Sequence, residues 1–161
     1  LVEIITWDWD QVETSAKAIA LDILGSVEHI DRVNIVGIEN GGIIPAMLVY
    51  KMLNCFSKTT FIFKTLNPSL MTPESLKDTI DDNPLTLFID DINDSGQTIN
   101  SIGQALKNAF TDPSNQPMIG FFTLVAKKKS NAAVATPVIM DTDDWIVFPW
   151  EYNEQAKRNR D

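Results

Sequence analysis

Apolar residues recur along this chain with two periods, and the places where one gives way to the other mark its elements. Val12, Ala16, Ile19, Ala20, Ile23 and Leu24 share one helical face, which predicts an amphipathic helix capped by Asp8 and stopped by Gly25. A continuous apolar run over 33–38 predicts the first strong strand. The helix after it covers 43–53, with Pro45 tolerated in its first turn. Further strands are predicted over 59–64, 85–90, 118–125 and 136–140. Residues 85–89 are apolar apart from Thr86, the pattern of a strand buried on both faces of a parallel sheet. Ile99, Ile102 and Leu106 then return to helical spacing. Strands alternating with helices predict an α/β fold, a twisted and mostly parallel sheet flanked by helices.

Residues 65–84 break the alternation with a long polar connection rich in Asn, Pro, Ser, Thr and Asp. Connections of this length inside a compact domain tend to be lids or binding loops. A short helix from Pro73 to Ile80 is the alternative reading.

Composition narrows the class. The 161 residues, 44% hydrophobic and 22% charged, suit one domain spanning 1–161 with a sizeable core. A formal net charge of −9 argues against a nucleic-acid surface and makes a polyphosphate ligand awkward unless a cation accompanies it. A single cysteine, Cys55, rules out an internal disulfide and offers no paired metal-ligand spacing, so a reducing compartment is expected. No apolar run is long enough to span a bilayer, and the first residues lack the basic start of a signal peptide. The expectation is a cytoplasmic protein with no membrane partner.

The candidate chemistry concentrates after the strand at 85–90. Asp90 and Asp91 end the apolar run, and Asp94, Ser95, Gly96, Gln97 and Thr98 form a small-residue turn that opens onto the next helix. Such a turn aims backbone N–H groups and the positive end of a helix dipole at an anion, and the Ser95 and Thr98 hydroxyls add donors. Two carboxylates beside a phosphate would repel it unless they faced sugar hydroxyls, a hydrated Mg²⁺, or both. A phosphorylated sugar with a metal is therefore the expected ligand. The plainer account is a βα turn whose acids and hydroxyls serve only as caps.

At these residues the chain resembles the type I phosphoribosyltransferases, whose phosphoribosyl pyrophosphate (PRPP) motif is an apolar strand, two acids, then Asp-small-Gly-x-Thr. The resemblance implies a Rossmann-like sheet with a lid and hood. It also implies that Asp90 and Asp91 engage ribose hydroxyls and Mg²⁺, and that Asp94 to Thr98 hold the 5′-phosphate. Asp94 is then the catalytic base toward the nucleobase. One βα unit earlier, Asn40, Gly41 and Gly42 stand where the family has its pyrophosphate loop, although xanthine-guanine relatives commonly carry Arg where this chain has Asn40. A guanidinium there would give diphosphate a charge-assisted donor.

The segment 143–161 resembles the base-binding end of bacterial xanthine-guanine phosphoribosyltransferases through Trp145, Ile146, Pro149, Trp150 and Glu151. There Trp145 would stack on a purine, the backbone of Ile146 would read its edge, and Glu151 would touch pyrophosphate or a second metal. Phe148 and Trp150 are read as plugging the end of the core or a subunit interface. Lys127 matches the lysine that bonds the purine 6-oxo group, while Lys128 and Lys129 read as a solvated run. The Ser-Tyr pair common at the family's lid is absent between Phe63 and Pro84. The implied activity is transfer of phosphoribosyl from PRPP to an oxo-purine by a homo-oligomer, dimer or tetramer. The alternatives are a PRPP- or nucleotide-binding regulatory protein of the same fold, or a phosphoribosyltransferase for another base.

Overall fold

Asp8 begins the first long helix as its position suggests: its side chain accepts from the Gln11 N–H at 2.9 Å, and the Gln11 side chain accepts from the Asp8 N–H at 3.0 Å. In this computed structural model, which describes residues 2–82 and 85–151, that helix is α1 (Trp9–Ser26), preceded by a short strand β1 (Ile4–Thr6). The apolar stripe lies inward at Val12, Ala16, Ile19, Ala20 and Ile23. Gly25 does not stop the helix, which runs on to Ser26 with Val27 as its C-cap.

The remaining elements are β2 (Arg32–Ile38), α2 (Ile43–Phe56), β3 (Thr60–Leu66), α3 (Pro73–Ile80), β4 (Leu85–Asn93), α4 (Gln97–Ala109), β5 (Met118–Lys127), β6 (Val138–Met140) and β7 (Trp145–Val147). Five of the strands form one sheet in the order β3-β2-β4-β5-β6, every pair parallel. Helices α1 and α2 cover one face together with Val33, Ile35, Leu87 and Ile89. Helices α3 and α4 cover the other, against Val36, Ile38 and Phe88. Alternate residues of β2 and β4 thus feed two separate cores, which is why both strands read as unbroken apolar runs. β1 and β7 pair parallel as a small hood apart from the main sheet, with Ile4 opposite Trp145 and Thr6 opposite Val147.

Two strands outrun their sequence patterns. β4 continues past its apolar part through Asp91, Ile92 and Asn93, because Ile92 and Asn93 still pair with Val125 and Ala126 of β5. The acids therefore sit inside the strand rather than after it. β5 likewise extends to Lys127.

The polar connection is largely ordered secondary structure. β3 runs to Leu66, a 3-10 turn spans Pro68–Leu70, and α3 occupies Pro73–Ile80 with a capping box between Thr72 and Ser75. Leu76 and Ile80 are core residues. Buried Asn34 on β2 donates to the carbonyls of Thr79 and Ile80 at 3.2 and 2.7 Å and to Thr86 Oγ1 at 3.2 Å, tying the end of α3 to the sheet. Residues 83–84 of this connection, and 152–161 of the C-terminal segment, lie outside the described residues.

Candidate active site

The carboxyl ends of β2, β4 and β5 converge where ligands bind in open parallel sheets. Asp90 and Asp91 are half-buried there on the central strand. The Asp90 carboxylate accepts from the Asp91 N–H at 2.9 Å, and the Asp91 carboxylate accepts from the Ile92 N–H at 2.7 Å. Burial, and after it the charge of Asp91, push the Asp90 carboxyl up to about 8. Burial also raises Asp91, to about 6, against the lowering effect of the Ile92 N–H, and the charge of Glu151 adds to the rise. Such a pair is short of positive charge.

Gly41 and Gly42 lie directly on this strand. A Cβ at Gly41 would collide with the Asp91 carboxylate. One at Gly42 would strike the Ile89 carbonyl and come within 2.6 Å of the Ile38 carbonyl and 2.8 Å of Asp90 Cα. The glycines are required for this close approach, and they bring the Asn40–Gly42 loop against the acid pair. The Glu39–Asn40 peptide bond is cis, and Asn40 is exposed.

Beyond the acids, Gly96 adopts φ +87°, a conformation open to glycine, and stands at the N-cap of α4 with no side chain capping that end. The Gln97 N–H reaches Ser95 Oγ at 3.3 Å, and Ser95, Gln97 and Thr98 are exposed. Residues 90–99 line a cleft of about 240 Å³. A larger cavity, about 720 Å³, lies between the C-terminal ends of α3 and α4, near the amino ends of β4 and β5, lined by residues such as Lys77, Asp78, Phe110 and Gln116. It is remote from the acid pair and the glycine loops, so the smaller cleft is the candidate site.

Asp94 Oδ1 lies 3.3 Å from Nζ of Lys127 and 3.3 Å from Nζ of Lys129. Lys127 is only 4% exposed and its Nζ also approaches the Asp143 carbonyl at 3.5 Å. Trp145, 43% exposed, offers a ring at the hood edge, while Ile146 beside it is buried. The structure thus brings Asp90, Asp91, Gly41 and Gly42 together, and Asp94 to Lys127.

Two features went unread in the sequence. Trp150, taken as a plug, stacks on Phe148 at 4.9 Å, yet its indole N–H is buried beside Asp91 and lowers that carboxyl. Glu151 accepts the Phe148 N–H at 2.8 Å while its charge bears on Asp91. The turn after β5 is the second: Ser130 Oγ donates to Asn93 Oδ1 at 2.8 Å, and Asn100 Nδ2 donates to Asn131 Oδ1 at 2.8 Å. Ser and Asn signal a turn and nothing more, so only the Pro-Trp-acid pattern could have flagged Trp150.

Among the described residues no cluster of three or more His, Cys, Asp or Glu is arranged to hold a metal by itself. Two carboxylates raised chiefly by burial nevertheless suit Mg²⁺, which prefers one or two carboxylates with its other oxygens from substrate phosphates and water.

Residues 8–157 match the phosphoribosyl transferase domain, and the chain belongs to that family. Within it, the xanthine-guanine phosphoribosyltransferase of Cereibacter sphaeroides is 30% identical over 155 residues, covering 89% of this chain and 84% of the relative. The fold is shared with a purine phosphoribosyltransferase from Pyrococcus horikoshii, at TM-score 0.67 and 21% identity over 92% of this chain and 94% of that one. It is shared also with the Helicobacter pylori xanthine-guanine-hypoxanthine phosphoribosyltransferase, at TM-score 0.69 and 13% identity over 98% and 99% of the two chains.

Proposed function

We propose that this protein is a purine phosphoribosyltransferase that transfers the 5-phosphoribosyl group of PRPP to an oxo-purine, giving the nucleoside monophosphate and pyrophosphate. Xanthine, guanine and hypoxanthine are the acceptors. One observation carries the reading: the segment 90–98 joins an acid pair, a helix N-terminus opened by Gly96 without a side-chain N-cap and an Asp94 that already faces buried Lys127 at 3.3 Å. The similarity to a xanthine-guanine enzyme supports the choice of base.

In this reading the turn from Asp94 to Thr98 binds the 5′-phosphate and the Asn40–Gly42 loop the pyrophosphate. Asp90 and Asp91 hold the ribose hydroxyls and Mg²⁺, with Glu151 close behind. Bound Mg²⁺ would offset the charge of the departing diphosphate. The bond from ribose C1 to pyrophosphate oxygen breaks, purine N9 bonds to C1, and the N7 proton passes to Asp94. Lys127 donates to the 6-oxo group, which favours oxo-purines over adenine, and Trp145 stacks on the ring while Ile146 reads its edge. Most of the rate gain is positioning and electrostatics. The lid is assigned to the connection 65–84, whose 3-10 turn Pro68–Leu70 packs on α4.

The test is a panel of purine and pyrimidine bases assayed with PRPP and Mg²⁺. Nucleotide formation from oxo-purines is expected, with adenine poor. No turnover with any base, in folded protein, overturns the reading. Exposed Asn40, where relatives commonly carry Arg, favours the second reading of a nucleotide-binding regulator. Saturable nucleotide binding without turnover would establish that instead. No described helix is long and apolar enough to cross a membrane. A cytoplasmic homo-oligomer is part of the proposed reading, and light scattering would give its size.

A further inference from the structure

Three lysines follow one another at the end of β5, and their surroundings separate them. Lys127 is buried against Asp94. Lys128 turns to solvent and pairs with Asp141 at 2.7 Å, both side chains exposed. Lys129 turns back: its Nζ is 3.3 Å from the same Asp94 Oδ1 and donates to Asp143 Oδ1 at 2.7 Å. Asp94 Oδ1 is itself buried and makes no hydrogen bond among the described residues, so the two ammonium groups are what hold it.

The grip extends along the same turn. Ser130 holds Asn93, Asn131 accepts from Asn100, and a Cβ at Gly96 would lie 2.6 Å from Asn131 Oδ1 and 2.8 Å from the Ala132 nitrogen. Residues 127–132 therefore clasp residues 93–100, and Lys129 is the part of the clasp that reaches Asp94.

Lys127 has two claims on it. In the proposed reaction it also donates to the purine 6-oxo group, so its three N–H donors are shared among that oxygen, Asp94 and the Asp143 carbonyl. A proton acceptor has to stay within hydrogen-bond reach of the proton it takes, and a carboxylate held only by a shared ammonium is free to swing about its terminal torsion. Lys129 has no such second task. Asp143 neutralises its charge and fixes its Nζ, so that it remains on Oδ1 and leaves Oδ2 to accept the proton.

We infer that Lys129, braced by Asp143, is a positioning residue for Asp94. The inference rests on Asp94 being the acceptor of the purine proton. Replacing Lys129→Met should lower kcat roughly 10-fold, within the loss expected for a misplaced catalytic group. KM for PRPP and the melting temperature should stay near those of the parent, because exposed ion pairs add little stability. Lys129→Arg should recover most of kcat. Asp143→Asn should lower kcat in the same direction by less, and should add nothing further in the Lys129→Met background, the signature of one coupled unit.

A Lys129→Met enzyme with the parent's kcat would overturn the inference. So would failure of Arg to rescue, or a KM for PRPP and melting temperature that move as far as kcat. Asp94→Asn measured alongside separates the two readings. If it keeps parental kcat, the role of Asp94 is wrong and the inference falls with it. If it is inactive while Lys129→Met is unaffected, only the inference falls.

Discussion

Residues 90–98 and the groups proposed to meet the base, Lys127, Trp145 and Ile146, belong to one candidate site but are assembled differently. The first region is a single stretch of chain, with the acids locked in the central strand between β2 and β5 and the glycine turn leading straight into α4. The second is gathered from the end of β5 and from a hood strand whose partner among the described residues is β1. Their electrostatics differ as well. The acid pair concentrates like charge in a half-buried place and holds both carboxyls above their usual range. Around Asp94, by contrast, Lys127 and Lys129 face Asp94 and Asp143, so the charges balance. The acid half would therefore gain from a cation, whereas around Asp94 the charges are balanced before anything binds.

The largest effect should come where the halves join. Asp94→Asn is expected to lower kcat by about 10²–10⁴-fold, the range for a general base, with KM for PRPP changed far less. Parallel loss of both would erase the distinction between the halves. Next is Gly41→Ala. Its methyl meets the Asp91 carboxylate, so it should weaken PRPP binding and cost about 1–3 kcal/mol of stability by overpacking, read by calorimetric titration and denaturant melts.

Trp145→Ala should act on the base half alone. The expected change is roughly 10-fold in KM for the purine, from lost stacking and burial, with KM for PRPP retained. Equal changes in both constants would mean that the hood serves the whole site.

The smallest effect is on stability and depends on pH. The folded Asp90 carboxyl titrates near 8, above its ordinary 3.8, so the folded chain binds this proton more tightly than the unfolded chain does. The resulting stabilisation is full below the ordinary value and is lost as pH rises through about 8. Asp90→Asn should therefore gain in melting temperature relative to the parent as pH rises toward 8. It should gain nothing near pH 4. A difference that does not vary with pH would show that the pair is not strained in the way described.

Much of this contrast could be read from the sequence, and unevenly so. The acid pair and glycine turn were legible because strand, acids and turn are consecutive, and local pattern carries them. Helix α3 was visible as one of two readings of 65–84, but the choice between them belonged to Asn34, whose three buried contacts are made to residues more than forty positions away. Trp150 does pack against the core as a plug, but the apolar ring stacked on Phe148 hides the fact that its N–H faces Asp91. The strand ends at Asn93 and Lys127 were missed because pairing between neighbours extends a strand beyond its apolar run. The roles of Lys129, Ser130 and Asn131 arise wholly from what the turn lands on.

The packing of Gly42 has a mechanical consequence. With its N–H given to the Ile38 carbonyl at 2.8 Å and its α-carbon pressed between the carbonyls of Ile38 and Ile89, the residue acts as a wedge joining two neighbouring strands. Close-packed interiors transmit displacement rather than absorb it, so this loop and the acid strand should travel as one stiff body. Its amide should be among the slow-exchanging hydrogens of the molecule, and the give needed for ligands to enter and leave should be borne by the hood.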